Sequence, residues 1–209
     1  RYLPFSSIGK SFAENNICEM GYAVSKIYAR SIIEEFSIRF DENIHCLEDL
    51  LFMYQYLLHC DYLVLNHMQN YVYVKHSFSL SHRIHSFESE YCCFVKYQQL
   101  LAEMMKVWKI PAGDMVVTVN SMLVPFRRAL KSDYQPDRTI PREMRVKHLK
   151  RMISESRDVF LKYYHPVFKT DKLGKVLLGF NCYILYDFYI RLLFRLNIGP
   201  VFYGPKHMY

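Results

Sequence analysis

Between Leu47 and Leu58 the apolar residues Leu47, Leu50, Leu51, Tyr54, Leu57 and Leu58 recur at three- and four-residue steps. That spacing places them on one side of an α-helix, and a helix of this kind must bury that side against a core. The same segment opens on an adjacent carboxylate pair, Glu48 and Asp49. Carboxylates at a helix N-terminus are favoured by the exposed amides and the macrodipole, worth about 0.3–1 kcal/mol each, so helix capping is one complete account of the pair. A general base at the mouth of a cleft is the other.

The chain has 209 residues, 51% of them hydrophobic, enough for one large domain or two small ones with a sizeable core. Cys18, Cys46, Cys60, Cys92, Cys93 and Cys182 form neither a C-x-x-C pair nor a zinc spacing, and read as reduced thiols of a cytoplasmic protein. The formal charge of +7 points to an anionic partner. Basic residues concentrate from Arg127 onward, through Arg128, Lys131, Arg138, Arg142, Arg145, Lys147, Lys150, Arg151 and Arg157. A solvated helix face accounts for them, and so does docking on anionic headgroups. Nucleic acid is not expected as a partner, because the aromatic run Tyr71-Val72-Tyr73 has only Lys75 beside it.

Along the chain, a short strand is expected at Tyr2 to Phe5, followed by a loop through Gly9. A helix is expected through Ser31 to Glu35, then extended chain over Ser37 to Phe40, then the Glu48 helix to about Cys60. The β-rich runs Tyr62 to Leu65 and Tyr71 to Val74, joined by Asn66 to Asn70, read as a hairpin. Ser86 is placed to cap a helix that carries Glu88 and Glu90 in its first turn and closes near Lys109. Beyond it come a helical segment from Asp114 with a kink at Pro125, a polar linker over Ser132 to Pro141, one basic helix over Arg142 to Tyr164, and one apolar helix over Asp171 to Asn197. Asp187, Arg191 and Arg195 interrupt the last before it reaches a membrane-spanning length, which leaves a core helix or an interfacial one.

Several pieces in order resemble a known family: Gly21-Tyr-Ala-Val-Ser-Lys-Ile-Tyr-Ala-Arg30, Ile38-Arg-Phe40, the Glu48-Asp-Leu-Leu-Phe52 helix, Tyr71-Val-Tyr73 and Ser77-Phe-Ser-Leu-Ser-His-Arg83. Their arrangement over residues 21–83 is similar to the second half of the catalytic domain of family-2 glycosyltransferases, and most of all to bacterial enzymes that build capsular and lipopolysaccharide glycans. Val24 stands where that family often has tryptophan. The resemblance implies fold class α/β, α+β within this chain: a partial GT-A sheet with flanking helices over 1–85, followed by a mainly helical region over 86–209. It implies transfer of a sugar, with inversion, from a nucleotide-sugar donor to a hydroxyl of a glycan or lipid-linked acceptor. The alternative expectation, from the basic residues, is a non-catalytic helical module that binds an anionic membrane or other acidic partner through Arg142 to Lys150.

By position the resemblance makes Asp49 the general base and gives Glu48 a supporting role at the acceptor, for which capping is an equal account. It places Lys26, His82 and Arg83 in the substrate site, the last as a phosphate contact. It also implies Mg2+ or Mn2+, although no two aspartates of this chain stand in a D-x-D. The chain starts at Arg1, and the resemblance makes it a piece of a longer enzyme, with roughly a hundred nucleotide-binding residues before it. A cytoplasmic location, peripheral on the inner face of the cell membrane, completes the expectation.

Overall fold

Residues 1–14, 17, 24–66, 71–72, 74, 83–110, 116–135, 138–166, 168–196 and 198 are described by the computed structural model of the protein. They form a mostly helical α+β protein with a two-stranded antiparallel sheet. The chain divides into two units, Arg1–Phe126 and Arg127–Tyr209.

The first unit begins with β1 (Tyr2–Pro4), which runs directly into α1 (Phe5–Glu14). Here the sequence reading is corrected, since a helix stands where a loop through Gly9 was expected. Ile8 and Phe12 recur at helical spacing and are fully buried. Gly9 allows close packing rather than a turn, because a Cβ there would lie 2.6 Å from Trp108 Cβ and 2.7 Å from Ile110 Cδ1. After α2 (Arg30–Glu35) comes α3 (Glu48–Leu57), then β2 (Tyr62–Val64), α4 (Phe87–Trp108) and α5 (Val116–Ser132). The helix α5 runs through Pro125, and the boundary between the units falls just after it. Asp114 lies outside the described residues.

Residues 67–70 and 73 of the expected hairpin lie outside the described residues, and among the described ones its second run forms no strand. Instead β2 pairs with β1 in the register Tyr2↔Val64, Leu3↔Leu63 and Pro4↔Tyr62. The ladder is extended by Leu65 N–H to Arg1 O and Phe5 N–H to Asp61 O, both 2.8 Å, and Tyr2 stacks on Tyr62. Leu3 supplies the reason: it is the buried residue of β1, and its apolar side chain fixes which face of the pair turns inward. Tyr71, Val72 and Val74 are exposed and belong to no strand. The described residues therefore show two short antiparallel strands and no parallel GT-A-like sheet.

At the centre of this unit α3 packs against α4, and α4 also packs against α1. Leu50, Leu51, Phe52, Met53, Tyr54 and Leu57 are all buried, so α3 is covered on more than the one side its periodicity predicts. Tyr54 and Tyr97 are buried together with their hydroxyls 2.9 Å apart, which satisfies two phenols that would otherwise each carry a desolvation cost. Ser86 caps α4 as its position predicts, accepting from Ser89 N–H, and Lys109 closes the helix in the left-handed region.

The second unit contains α6 (Arg142–Glu155), α7 (Arg157–Tyr163), α8 (Lys169–Gly179) and α9 (Tyr183–Arg195). Two long helices were expected, and each is broken. Ser156 separates α6 from α7, while Phe180, Asn181 and Cys182 separate α8 from α9 with Asn181 at φ 59°. Asparagine tolerates the left-handed region better than most residues, so Asn181 is the sequence signal for this reversal. The polar linker is partly interior: Ser132, Asp133 and Tyr134 are buried.

Candidate functional site

Glu48 and Asp49 form the first turn of α3, and both are half-buried. Leu47 precedes them in the left-handed region at φ 65°, a costly conformation for leucine that turns the chain sharply into the helix. Asp49 Oδ1 accepts a hydrogen bond from Leu50 N–H at 2.8 Å, so the carboxylate does serve an amide of the first turn. Its field reaches further, to Lys26 and Tyr28.

Lys26 follows Ser25, itself at φ 60°, in the irregular segment before α2. Burial lowers the pKa of its ammonium, and the negative charge of Asp49 partly restores it. Lys26 Nζ also donates to Val24 O at 3.4 Å. Tyr28 feels the same carboxylate. Its pKa is pushed up to about 12, first by burial and then by the charges of Asp49 and Tyr56. The Tyr28 hydroxyl is shielded from solvent and has no hydrogen-bond partner among the described residues.

Aromatic rings surround this hydroxyl. Tyr28 meets Phe52 edge-on at 5.3 Å between centroids and Tyr56 edge-on at 4.9 Å, while Phe40 stacks on Phe52 at 4.6 Å. Tyr56 accepts from Ala29 N–H at 2.9 Å, which ties the start of α2 to α3. Asp49, Phe52 and Tyr56 are spaced i, i+3, i+7 on α3, so one helical face carries the carboxylate and two rings. The sequence reading did not assign Tyr28, Phe40, Phe52 or Tyr56 to a site. The helical spacing from Asp49, and the two-residue step from Lys26 to Tyr28, were the signals that could have done so.

Arg83 is exposed and lies two residues before His85. One bond ties the start of α4 to the loop that enters α3, His45 N–H donating to Ser89 Oγ at 3.2 Å, while His85 N–H donates within its own segment to Glu90 Oε1 at 2.8 Å. The His45 and His85 rings are 5.3 Å apart. His82 lies outside the described residues, as do Tyr73 and residues 75–81. Asp41 forms an ion pair with Lys96, whose hydrogen bond holds the Asp41 carboxyl below its ordinary pKa.

Among the described residues no group of three or more His, Cys, Asp or Glu side chains comes together to hold a metal ion, so the Mg2+ or Mn2+ implied by the resemblance has no ligand set there. Among the described residues Cys46, Cys60, Cys92, Cys93 and Cys182 form no disulfide, and burial pushes the Cys60 thiol up to about 11. No helix among the described residues is long and apolar enough to cross a membrane. No family model, no curated protein and no solved structure matches the chain.

The basic stretch beyond Arg127 is not one solvated face. Arg128 and Arg145 are buried. Arg145 is bound to Asp187 and also donates to Ile140 O, so it is unavailable to a headgroup. Lys131 is largely enclosed beside Arg127, Arg128 and Asp171, and its pKa falls to about 8, chiefly through burial. Arg142, Lys147, Lys150 and Arg151 remain on the exposed side of α6.

Proposed function

We propose that the protein is a glycosyltransferase of GT-A type, in which Asp49 is the general base for transfer of a sugar from a nucleoside diphosphate to an acceptor hydroxyl. What supports this reading is the packing of the Asp49 face of α3, through Phe52 and Tyr56, against Tyr28, which brings the Glu48–Phe52 and Gly21–Arg30 segments together with the Asp49 charge near Lys26 and Tyr28. A carboxylate in this setting suits an inverting displacement. The acceptor oxygen attacks the anomeric carbon, its proton passes to the Asp49 carboxylate, and the bond to the diphosphate oxygen breaks with its electrons leaving on the diphosphate.

The surrounding groups suit a sugar acceptor. The exposed ring of Phe40 and the half-buried ring of Tyr56 offer apolar contact to the C–H side of a pyranose, while Lys26 offers a donor to its oxygens. Glu48 is close enough in sequence to orient the entry turn or to accept from a second acceptor hydroxyl. Arg83, on the segment that leads into α4, whose start is tied to that turn, is assigned the diphosphate, with His82 beside it in sequence. No step is assigned to a metal ion. The product belongs to surface glycan synthesis at the inner face of a cell membrane, with a glycan or lipid-linked acceptor. The test is release of nucleoside diphosphate from a panel of nucleotide sugars, with Asp49→Asn as the deciding variant.

A further inference from the structure

The second unit carries an amphiphilic surface that the proposed transferase chemistry does not use. An open groove of about 640 Å³ is lined by Arg142 and Lys150 of α6 and by Tyr183, Ile184, Leu185 and Phe188 of α9. Its apolar wall continues over the surface. Phe180 is 79% exposed, Phe188 63% and Ile184 57%, and Leu192 and Leu196 follow at four-residue steps. Tyr186, Asp187, Ile190 and Leu193 form the opposite, buried side of α9. The exposed stripe is therefore a helical face and not scattered leucines.

The charged side chains that line the groove are cationic, and the exposed acid of the same turn of α6, Glu143, is not among them. Arg191 and Arg195 are exposed on α9, Arg142 and Lys150 rim the groove, and the single acid of α9, Asp187, is buried against Arg145. We infer that the exposed face of α9, the Phe180–Cys182 turn and the Arg142–Lys150 rim form a docking surface for an anionic lipid bilayer. Apolar side chains of the stripe enter the acyl boundary while the four cations meet headgroup phosphates. Charge complementarity selects this occupant. A nucleic acid would leave the apolar stripe in water, and a second copy of the chain would press cation-rimmed faces together with no exposed acid on α9 to answer them. The inference stands independently of the transferase reading.

The test is co-sedimentation of the whole chain with vesicles of phosphatidylcholine alone and of phosphatidylcholine with about 30% phosphatidylglycerol, a content at which each surface cation contributes measurably. Binding to the anionic vesicles is expected to exceed that to neutral ones by about tenfold or more and to fall as salt is raised. Arg142→Glu with Lys150→Glu should lose most of the anionic preference. Ile184→Glu with Phe188→Glu should lose binding to both vesicle types, while Lys106→Glu on α4 should change neither, and circular dichroism should show all variants folded. Equal binding to both vesicle types, binding unchanged by the α9 variants, or no binding would overturn the inference. So would a concentration-dependent dimer abolished by Phe188→Glu, because a second copy would then be the occupant.

Discussion

Arg145 grips Asp187 at two points, Nε to Oδ1 at 2.6 Å and Nη2 to Oδ2 at 2.9 Å, and so fastens α6 to α9. Both residues are buried, and Tyr134 adds its hydroxyl to Oδ1 at 3.1 Å. A buried pair of this kind contributes little net stability against an apolar replacement, but removing one partner strands the other charge. Arg145→Met should cost about 3–5 kcal/mol in urea unfolding, and the double variant Arg145→Met with Asp187→Leu should recover most of it. Tyr134→Phe should cost about 1.5–3 kcal/mol, the worth of one hydrogen bond to a charged acceptor.

The enclosure of Lys131 gives a pH dependence with a defined sign. Its pKa is about 8 in the folded protein against an ordinary 10.5. Below about pH 8 the lysine is protonated in both states, and the folded state bears the full burial cost. Between these values the unfolded chain holds the extra proton, so stability rises with pH. Buried tyrosines such as Tyr164, whose pKa burial raises, oppose the rise above about pH 10, where unfolded tyrosines ionise first. Thermal or urea unfolding should show a gain on the order of 2 kcal/mol between about pH 8 and 10. Lys131→Met should be more stable than the wild type at pH 7 and should flatten that rise.

Gly9 is fixed by contact. Gly9→Ala drives a methyl into Trp108 and Ile110, with neighbours at 2.6 and 2.7 Å that include the Trp108 Cβ. A loss of about 1–3 kcal/mol is expected, together with a shift in the emission of the single tryptophan.

At Tyr28 a substitution should spare both stability and function. Its hydroxyl is shielded and has no partner among the described residues, so Tyr28→Phe removes a buried donor at no cost in hydrogen bonds to them. Unfolding free energy should stay the same or rise by up to about 1 kcal/mol. Turnover should be unchanged in the same variant, because the shielded hydroxyl does not reach the acceptor.

The helix of Glu48 and Asp49 was legible because its apolar period is strong, and the start of α4 because Ser86 is a good cap. The missed features depend on distant partners. Leu63 pairs with Leu3 from beyond α1, α2 and α3 in the chain, and no local pattern around Tyr62 to Val74 announces that choice. Gly9 reads as a loop until Trp108 is seen against it. Arg145 lies in a run of exposed cations, and only the placement of Asp187 on α9 draws it inward. At the candidate site the acid was legible and its ring wall was not, because Phe52 and Tyr56 read equally well as core residues.

The central claim is that Asp49 takes the proton of an acceptor hydroxyl, and the most direct measurement is nucleoside-diphosphate release by the wild type and by Asp49→Asn, with folding of both checked by circular dichroism. The account predicts turnover of at least one nucleotide sugar that falls by about 10²-fold or more in the variant, with little change in KM for the donor. Turnover that survives the substitution unchanged would contradict it and leave Asp49 as the residue that serves the first turn of α3.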